Sequence, residues 1–222
     1  MIRKEKIETL FDTRFIHVYD LQYEEGKHYY DASRRHLDDL AAVKSDEEFQ
    51  KMLPDAVSCF VILKCEGQEP RLLTFYEYRY PTGQYLLSVP AGLLDPEDKE
   101  SEHPLFSTAI REIREETGMS FGERDHIHVV SPLALSSPGM TDESNALVCV
   151  VLHPKDLSEL SQKGARGSER FSGFELLTKE EALQILTSGR DRHGNFFSMM
   201  TWAGLMYFAS GMWQQEENES DS

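Results

Sequence analysis

The chain has 222 residues, 40% of them apolar, with 12 Phe and 9 Tyr, which is ample for a packed globular core. Its formal charge of −16 argues against binding nucleic-acid phosphate as a main activity, since that draws on basic patches. Cys59, Cys65 and Cys149 cannot all pair and show no Cys-x-x-Cys spacing, so neither a disulfide framework nor a zinc site is expected. The N-terminus lacks an apolar signal core and no stretch approaches the length of a membrane span, so a reducing, cytoplasmic setting without membrane attachment is expected.

In chain order, Arg14 to Tyr19 and His28 to Arg34 alternate apolar and polar residues about the turn Glu24-Glu25-Gly26, which predicts a β-hairpin. Residues 38–54 turn polar and helical and end at Pro54, an excursion before the main domain. Ala56 to Leu63 is a continuous apolar strand, and Arg71 to Tyr76 is its expected partner across Glu66-Gly67-Gln68. A turn over residues 78–83 leads to a strand, Tyr85 to Val89, that runs into Pro90-Ala91-Gly92.

Phe106 to Gly118 reads as an amphipathic helix. Phe106, Ile110 and Ile113 form its apolar stripe, while Glu112, Glu115 and Glu116 cluster on the opposite side, with Gly118 at the left-handed stop. Carboxylates at this spacing repel one another, a penalty that a hard divalent cation reverses. Strands are predicted at His126 to Val130 and Ala146 to Leu152, flanking a loop that contains Ser137-Pro138-Gly139 and Asp142-Glu143. Residues 161–172 are loop-like and hold Glu169; Phe174 to Leu177 is a strand, and Thr178-Lys-Glu-Glu181 opens a capped helix ending near Gly189. Phe196 to Met212, with Trp202, Leu205, Met206 and Phe208, reads as a largely buried last helix, and the acidic stretch 214–222 as a disordered tail. The expected domains are 1–54, 55–213 and that tail. The eight histidines, His103 and His193 among them, show no metal-ligand spacing and read as surface or packing residues.

The run Arg111-Glu-Ile-Arg-Glu-Glu-Thr-Gly-Met119 matches the second half of the Nudix box, G-x5-E-x7-R-E-U-x-E-E-x-G-U, and Pro90-Ala91-Gly92-Leu93 resembles its opening. The Ser-Pro-Gly element is similar to one in ADP-ribose pyrophosphatase-like members. The first half departs from the pattern. Gly92 to Arg111 is 19 positions where 14 are required, and Glu97, Glu100 and Glu102 are the alternatives for the first glutamate.

The resemblance implies a Nudix α/β/α sandwich with a mixed sheet, preceded by a hairpin that serves a homodimer. It implies Mg2+, with Mn2+ as a substitute, held by Glu112, Glu116, Glu115 and the Ala91 carbonyl, with Arg111 orienting a glutamate. The catalytic base is expected at Glu169, with Glu143 and Glu115 as alternatives. Arg79, Gly92, Pro138, Gly139 and Glu143 are expected at the substrate, a small nucleoside diphosphate linked to another moiety. ADP-ribose leads. Ser88 stands where many ADP-ribose-type members have a glutamate, which keeps a sugar nucleotide such as UDP-glucose as an alternative, and a catalytically idle nucleotide-sugar sensor is another.

Overall fold

The computed structural model describes residues 2–164 and 167–215, so the tail from 216 onward lies outside the described residues. Two units divide the chain: one joins residues 1–55 to 132–145, the other joins 56–131 to 146–222.

In the first unit the expected hairpin is present as β2 (His17–Glu24) and β3 (Lys27–Ser33), but β1 (Ile7–Asp12) pairs antiparallel with β2 and makes a three-stranded sheet. Alternation missed β1 because its register shifts between Thr9 and Phe11, which breaks the two-residue period. Tyr19, Leu21 and Leu40 are buried there, while Leu10, Phe11, Phe15 and Ile16 are exposed. Only α1 (Asp46–Gln50) of the expected excursion is α-helical, opened by a Ser45–Glu48 capping box. Two short 3-10 turns precede it at Leu37–Asp39 and Ala41–Val43.

Buried Arg35 is the polar centre of this unit. It meets Asp55 at 3.0 Å, Asp39 at 3.4 Å and Asp142 at 3.8 Å, and donates to the Leu53 carbonyl and Ser144 Oγ. Nearby Asp31 is buried, and that burial, with the charge of Asp142, pushes its carboxyl up to about 6 despite the Asp142 N–H it accepts. A carboxyl raised in the fold stabilises at low pH, and the contribution is lost as pH rises through about 6. Asp31→Asn keeps the acceptor and removes the charge, so it should stabilise the protein at pH 7.5 by on the order of 2 kcal/mol and by less at pH 5. Urea unfolding at both values checks this; an equal or larger gain at pH 5 would refute it.

The second unit is built on a mixed seven-stranded sheet. Its main path runs β10 (Phe171–Leu177), β5 (Arg71–Arg79), β4 (Ala56–Leu63), β9 (Ser144–Leu152), β8 (His126–Leu135), with β6 (Gln84–Ser88) on β5 and β7 (Ala91–Leu93) on β4. Every residue of β4 is buried, as its unbroken apolar run requires of a strand covered on both faces. Val57, Cys59, Val61 and Leu63 pack with Ala109 and Ile113 of α3 (Pro104–Thr117); Phe60 and Ile62 pack on the other face with α4 (Lys179–Ser188) and α5 (Met199–Ser210). That is the expected α/β/α layering.

Thr178 and Glu181 close the predicted capping box of α4, and Gly189 ends it at φ 67°. The last helix is shorter and less buried than expected: Leu205 and Phe208 face the core, but Trp202 and Met206 are exposed, and Phe196 precedes the helix. β5 continues to Arg79, through residues expected to turn. No helix among the described residues is long and apolar enough to cross a membrane.

Candidate active site

α3 begins at Pro104 and ends at Gly118, whose φ of 76° accommodates the left-handed stop. Ala109 and Ile113 anchor one side of it in the core, and Glu112 and Glu116 face β7 and Glu77 of β5, with Glu115 beside Glu112. Glu112 is 6% and Glu116 3% exposed. Burial raises the carboxyl of Glu116 well above its ordinary range, with Glu112, Glu77 and Glu169 adding to the rise and the Ala91 N–H, which donates to Oε2 at 3.0 Å, opposing it. Burial also raises Glu112, opposed by Arg111 and reinforced by Glu115 and Glu169. These carboxylates are thus crowded, desolvated and mutually repelling.

Arg111 braces the group. Its Nη1 donates to Glu112 Oε1 at 2.6 Å, while Nη2 reaches Asp98 Oδ2 at 2.7 Å and the Leu93 carbonyl at 2.9 Å. Asp98 is 7% exposed, in α2 (Pro96–Lys99), whereas Glu97, Glu100 and Glu102 are all exposed. This resolves the irregular first half of the box. Gly92 to Asp98 is the G-x5-E spacing with aspartate in place of glutamate, and the extra residues follow it. Counting the insertion ahead of that position, and looking only for glutamate, hid it.

Gly92, paired with Val57 across the β7–β4 ladder, lies directly under Glu112: a Cβ built on it would overlap the Glu112 carboxyl group. The expected loop before β10 is tied to the end of α3 by the Ser161 N–H to Thr117 carbonyl bond of 2.8 Å. At the other end of that loop Tyr78 N–H bonds the Arg170 carbonyl and Phe171 pairs with Glu77, so Glu169 comes alongside Glu77 and adds its charge to Glu77, Glu112 and Glu116.

Glu77 is the other residue that sequence reading missed. It alternates with Leu73 and Phe75 on the α3 side of β5, its carboxyl is raised chiefly by burial, and its Oε2 holds Arg79 at 2.6 Å. Pro138, Gly139 and Glu143 belong to the first unit. There the Tyr29 hydroxyl donates to the Gly139 carbonyl at 2.7 Å and Arg34 pairs with Glu143 at 2.6 Å.

A hard, oxygen-seeking cation suits this donor set, which is carboxylate throughout and penalised by its own charge. As they stand, Glu112 is turned onto Arg111 and Glu116 onto the Ala91 amide, and no three His, Cys, Asp or Glu side chains among the described residues are already drawn together as a ligand set.

The NUDIX domain pattern matches residues 52–199. The chain is 29% identical to an ADP-sugar pyrophosphatase of Mus musculus over 63% of its own length and 60% of that protein's. It is 35% identical to a putative nudix hydrolase 2 of Caenorhabditis elegans over 43% of this chain and 39% of that protein, so the match spans less than two thirds of either relative. With an uncharacterized Nudix hydrolase of Schizosaccharomyces pombe it shares 32% identity over 70% of this chain and 74% of that one. A solved structure described as an ADP compounds hydrolase has the same fold, with a TM-score of 0.57 at 16% identity, covering 95% of this chain and 94% of that one. With the box residues gathered on α3 and the domain pattern spanning most of its length, this chain belongs to the Nudix family.

Proposed function

We propose that the protein hydrolyses the diphosphate of a nucleoside diphosphate linked to another moiety, with Mg2+ as cofactor and Mn2+ as a substitute, and that ADP-ribose, cleaved to AMP and ribose 5-phosphate, is the leading substrate. The observation that carries this reading is the carboxylate group formed by buried Glu112 and Glu116 with half-buried Glu77 and Glu169, beside Arg111-braced α3. When bound, the cation neutralises phosphate charge and makes water a stronger nucleophile. Glu112 and Glu116, with Glu115 and the Ala91 carbonyl, would hold it. Arg111 keeps Glu112 in place, and Arg79, half-exposed beside Glu77, supports a phosphate contact through its planar fork. The ADP-sugar pyrophosphatase among its relatives supports the substrate class. The assignment of Gly92, Pro138, Gly139 and Glu143 to substrate rests on resemblance alone.

A panel of nucleoside diphosphate compounds assayed with Mg2+ for released monophosphate tests the activity. Turnover of UDP-glucose above ADP-ribose would move the substrate, and tight binding without turnover of any compound would leave a sensor in place of an enzyme.

Glu169 takes the proton of the attacking water in this scheme. Glu169→Gln should lower kcat by roughly 100-fold or more while KM stays within about threefold. A normal kcat would transfer the role to Glu143 or Glu115.

The assembly proposed is a homodimer. Leu10 and Phe11 on edge strand β1, with Phe15 and Ile16 after it, form an exposed apolar group that supports pairing with a second copy. Light scattering during gel filtration should give twice the chain mass, and removal of residues 1–34 should give monomer with little activity. A single-chain mass for the full protein would rule the dimer out. The buried Cys59, Cys65 and Cys149, none of them in a disulfide among the described residues, support a reducing, cytoplasmic location.

A further inference from the structure

The loop that carries Glu169 is fastened to α3 through backbone. The last carbonyls of a helix have no partner inside it, and in α3 one of them, that of Thr117, accepts the Ser161 N–H at 2.8 Å. Three positions on, Gly164 lies against another: a Cβ built on it would stand 2.1 Å from the Glu115 carbonyl oxygen and 3.0 Å from its carbon. Gly164 is not at positive φ, so glycine is required there for space. Gly118 allows the same approach from the helix side, since a Cβ on it would come to 2.7 Å from the Glu159 carbonyl oxygen. The stretch from Glu159 to Gly164 thus meets the final turn of α3 at two glycines and one hydrogen bond.

The same stretch is tied to β10. Gln162 Oε1 accepts the Gly173 N–H at 3.0 Å, and Gly173 lies in the register shift between Phe171 and Phe174, where the ladder with β5 is interrupted. Residues 162 and 173 are therefore the joined ends of one loop. Near its far end the Tyr78 N–H bonds the Arg170 carbonyl at 2.8 Å, which pins to β5 the residue next to Glu169. Glu169 follows Gly164 by five positions, so it is carried between an attachment to α3 and an attachment to β5.

We propose, on the reading that Glu169 takes the proton of the attacking water, that Gly164 and Gln162 are positioning residues for it, which hold the loop so that the base keeps its place relative to Glu112 and Glu116. Alanine at 164 must displace one of two backbones. Ala109 and Ile113 anchor α3 in the core, so the loop is what moves, and Glu169 goes with it. Alanine at 162 takes the acceptor from the Gly173 N–H and opens the loop at its base. Neither change touches a carboxylate of α3, so both variants should keep the cation.

The test combines three measurements on the full chain: steady-state rates with Mg2+ on the best-hydrolysed nucleoside diphosphate compound, Mn2+ binding without substrate by electron paramagnetic resonance, and amide hydrogen exchange. Gly164→Ala is expected to lower kcat by about 10- to 100-fold, with KM and Mn2+ affinity within about threefold of wild type. Exchange of the Ser161 N–H should quicken by at least about 10-fold. Gln162→Ala should act in the same direction, with faster exchange at Gly173, and serves alone if Gly164→Ala does not fold. A fall in Tm with kcat held would mark both residues as structural and overturn the proposal, as would unchanged exchange at both amides or lost Mn2+ binding. Equal rates in wild type and variants would remove the proposal and leave the hydrolytic reading in place. A wild type that turns over no compound would overturn that reading, and the proposal with it.

Discussion

Glu116→Gln is expected to cut turnover by more than about 100-fold while leaving the protein at least as stable as the wild type. Loss of a residue that merely supports a metal ligand typically costs 10- to 100-fold, and a direct ligand with a formal charge costs more. The stability half follows from the same burial. In the fold the charged Glu116 is disfavoured by desolvation and by Glu112, Glu77 and Glu169 around it. A glutamine amide retains the size of the side chain and an oxygen for the Ala91 N–H, and removes that repulsion. An active site that destabilises its own fold should therefore show activity and stability moving in opposite directions. Steady-state rates and thermal unfolding of the variant decide the matter. Undiminished activity would remove Glu116 from the metal site, and a large fall in Tm would mark it as a structural residue.

Gly92→Ala is the second large effect. Gly92 does not sit at positive φ, so alanine meets no backbone obstacle there. The obstacle is Glu112, whose carboxyl group occupies the space a Cβ would take. The backbone cannot yield easily, because Ala91, Gly92 and Leu93 pair with Ser58, Val57 and Ala56 in the buried strand β4. Glu112 must swing away, and its 2.6 Å contact with Arg111 goes with it. Misplacement of a catalytic group by about 1 Å can cost about 100-fold, and a loss of that order in kcat is expected with the fold intact. Activity within a few-fold of wild type would show that Glu112 can serve from another rotamer, and would weaken its assignment as a ligand.

How much of this was legible beforehand can be judged element by element. α3 was readable because its apolar stripe, its carboxylates and its terminal glycine point to one helix; the glycine is at φ 76°, and Ile113 and half-buried Phe106 of the stripe pack in the core, with Ala109 there in place of the expected Ile110. β4 was readable because a strand buried on both faces leaves an unbroken apolar run. Glu77 was not, since β5 was ended at Tyr76: the residues beyond are polar and turn-like, and only pairing with Phe171 and Leu86 keeps them extended. Asp98 escaped because spacing counted backwards from Arg111 crosses the insertion, whereas counted forwards from Gly92 it does not. The exposed Trp202 and Met206 show the limit of composition: α5 is apolar on all sides, so its sequence alone does not say which side is covered.

The Arg35 node also carries a consequence for the order in which the chain acquires its structure. Arg35 and Asp39 lie early in the sequence, but Asp142 and Ser144, which complete the surroundings of the guanidinium, follow more than a hundred residues later. During synthesis β1, β2 and β3 leave the ribosome together and can pair, yet the charge at their base lacks Asp142 and Ser144 until residue 144 has emerged. Closing so long a loop is entropically cheaper once the intervening residues 56–131 have themselves condensed. The N-terminal sheet, first to be made, is thus expected to be among the last parts to reach its native state.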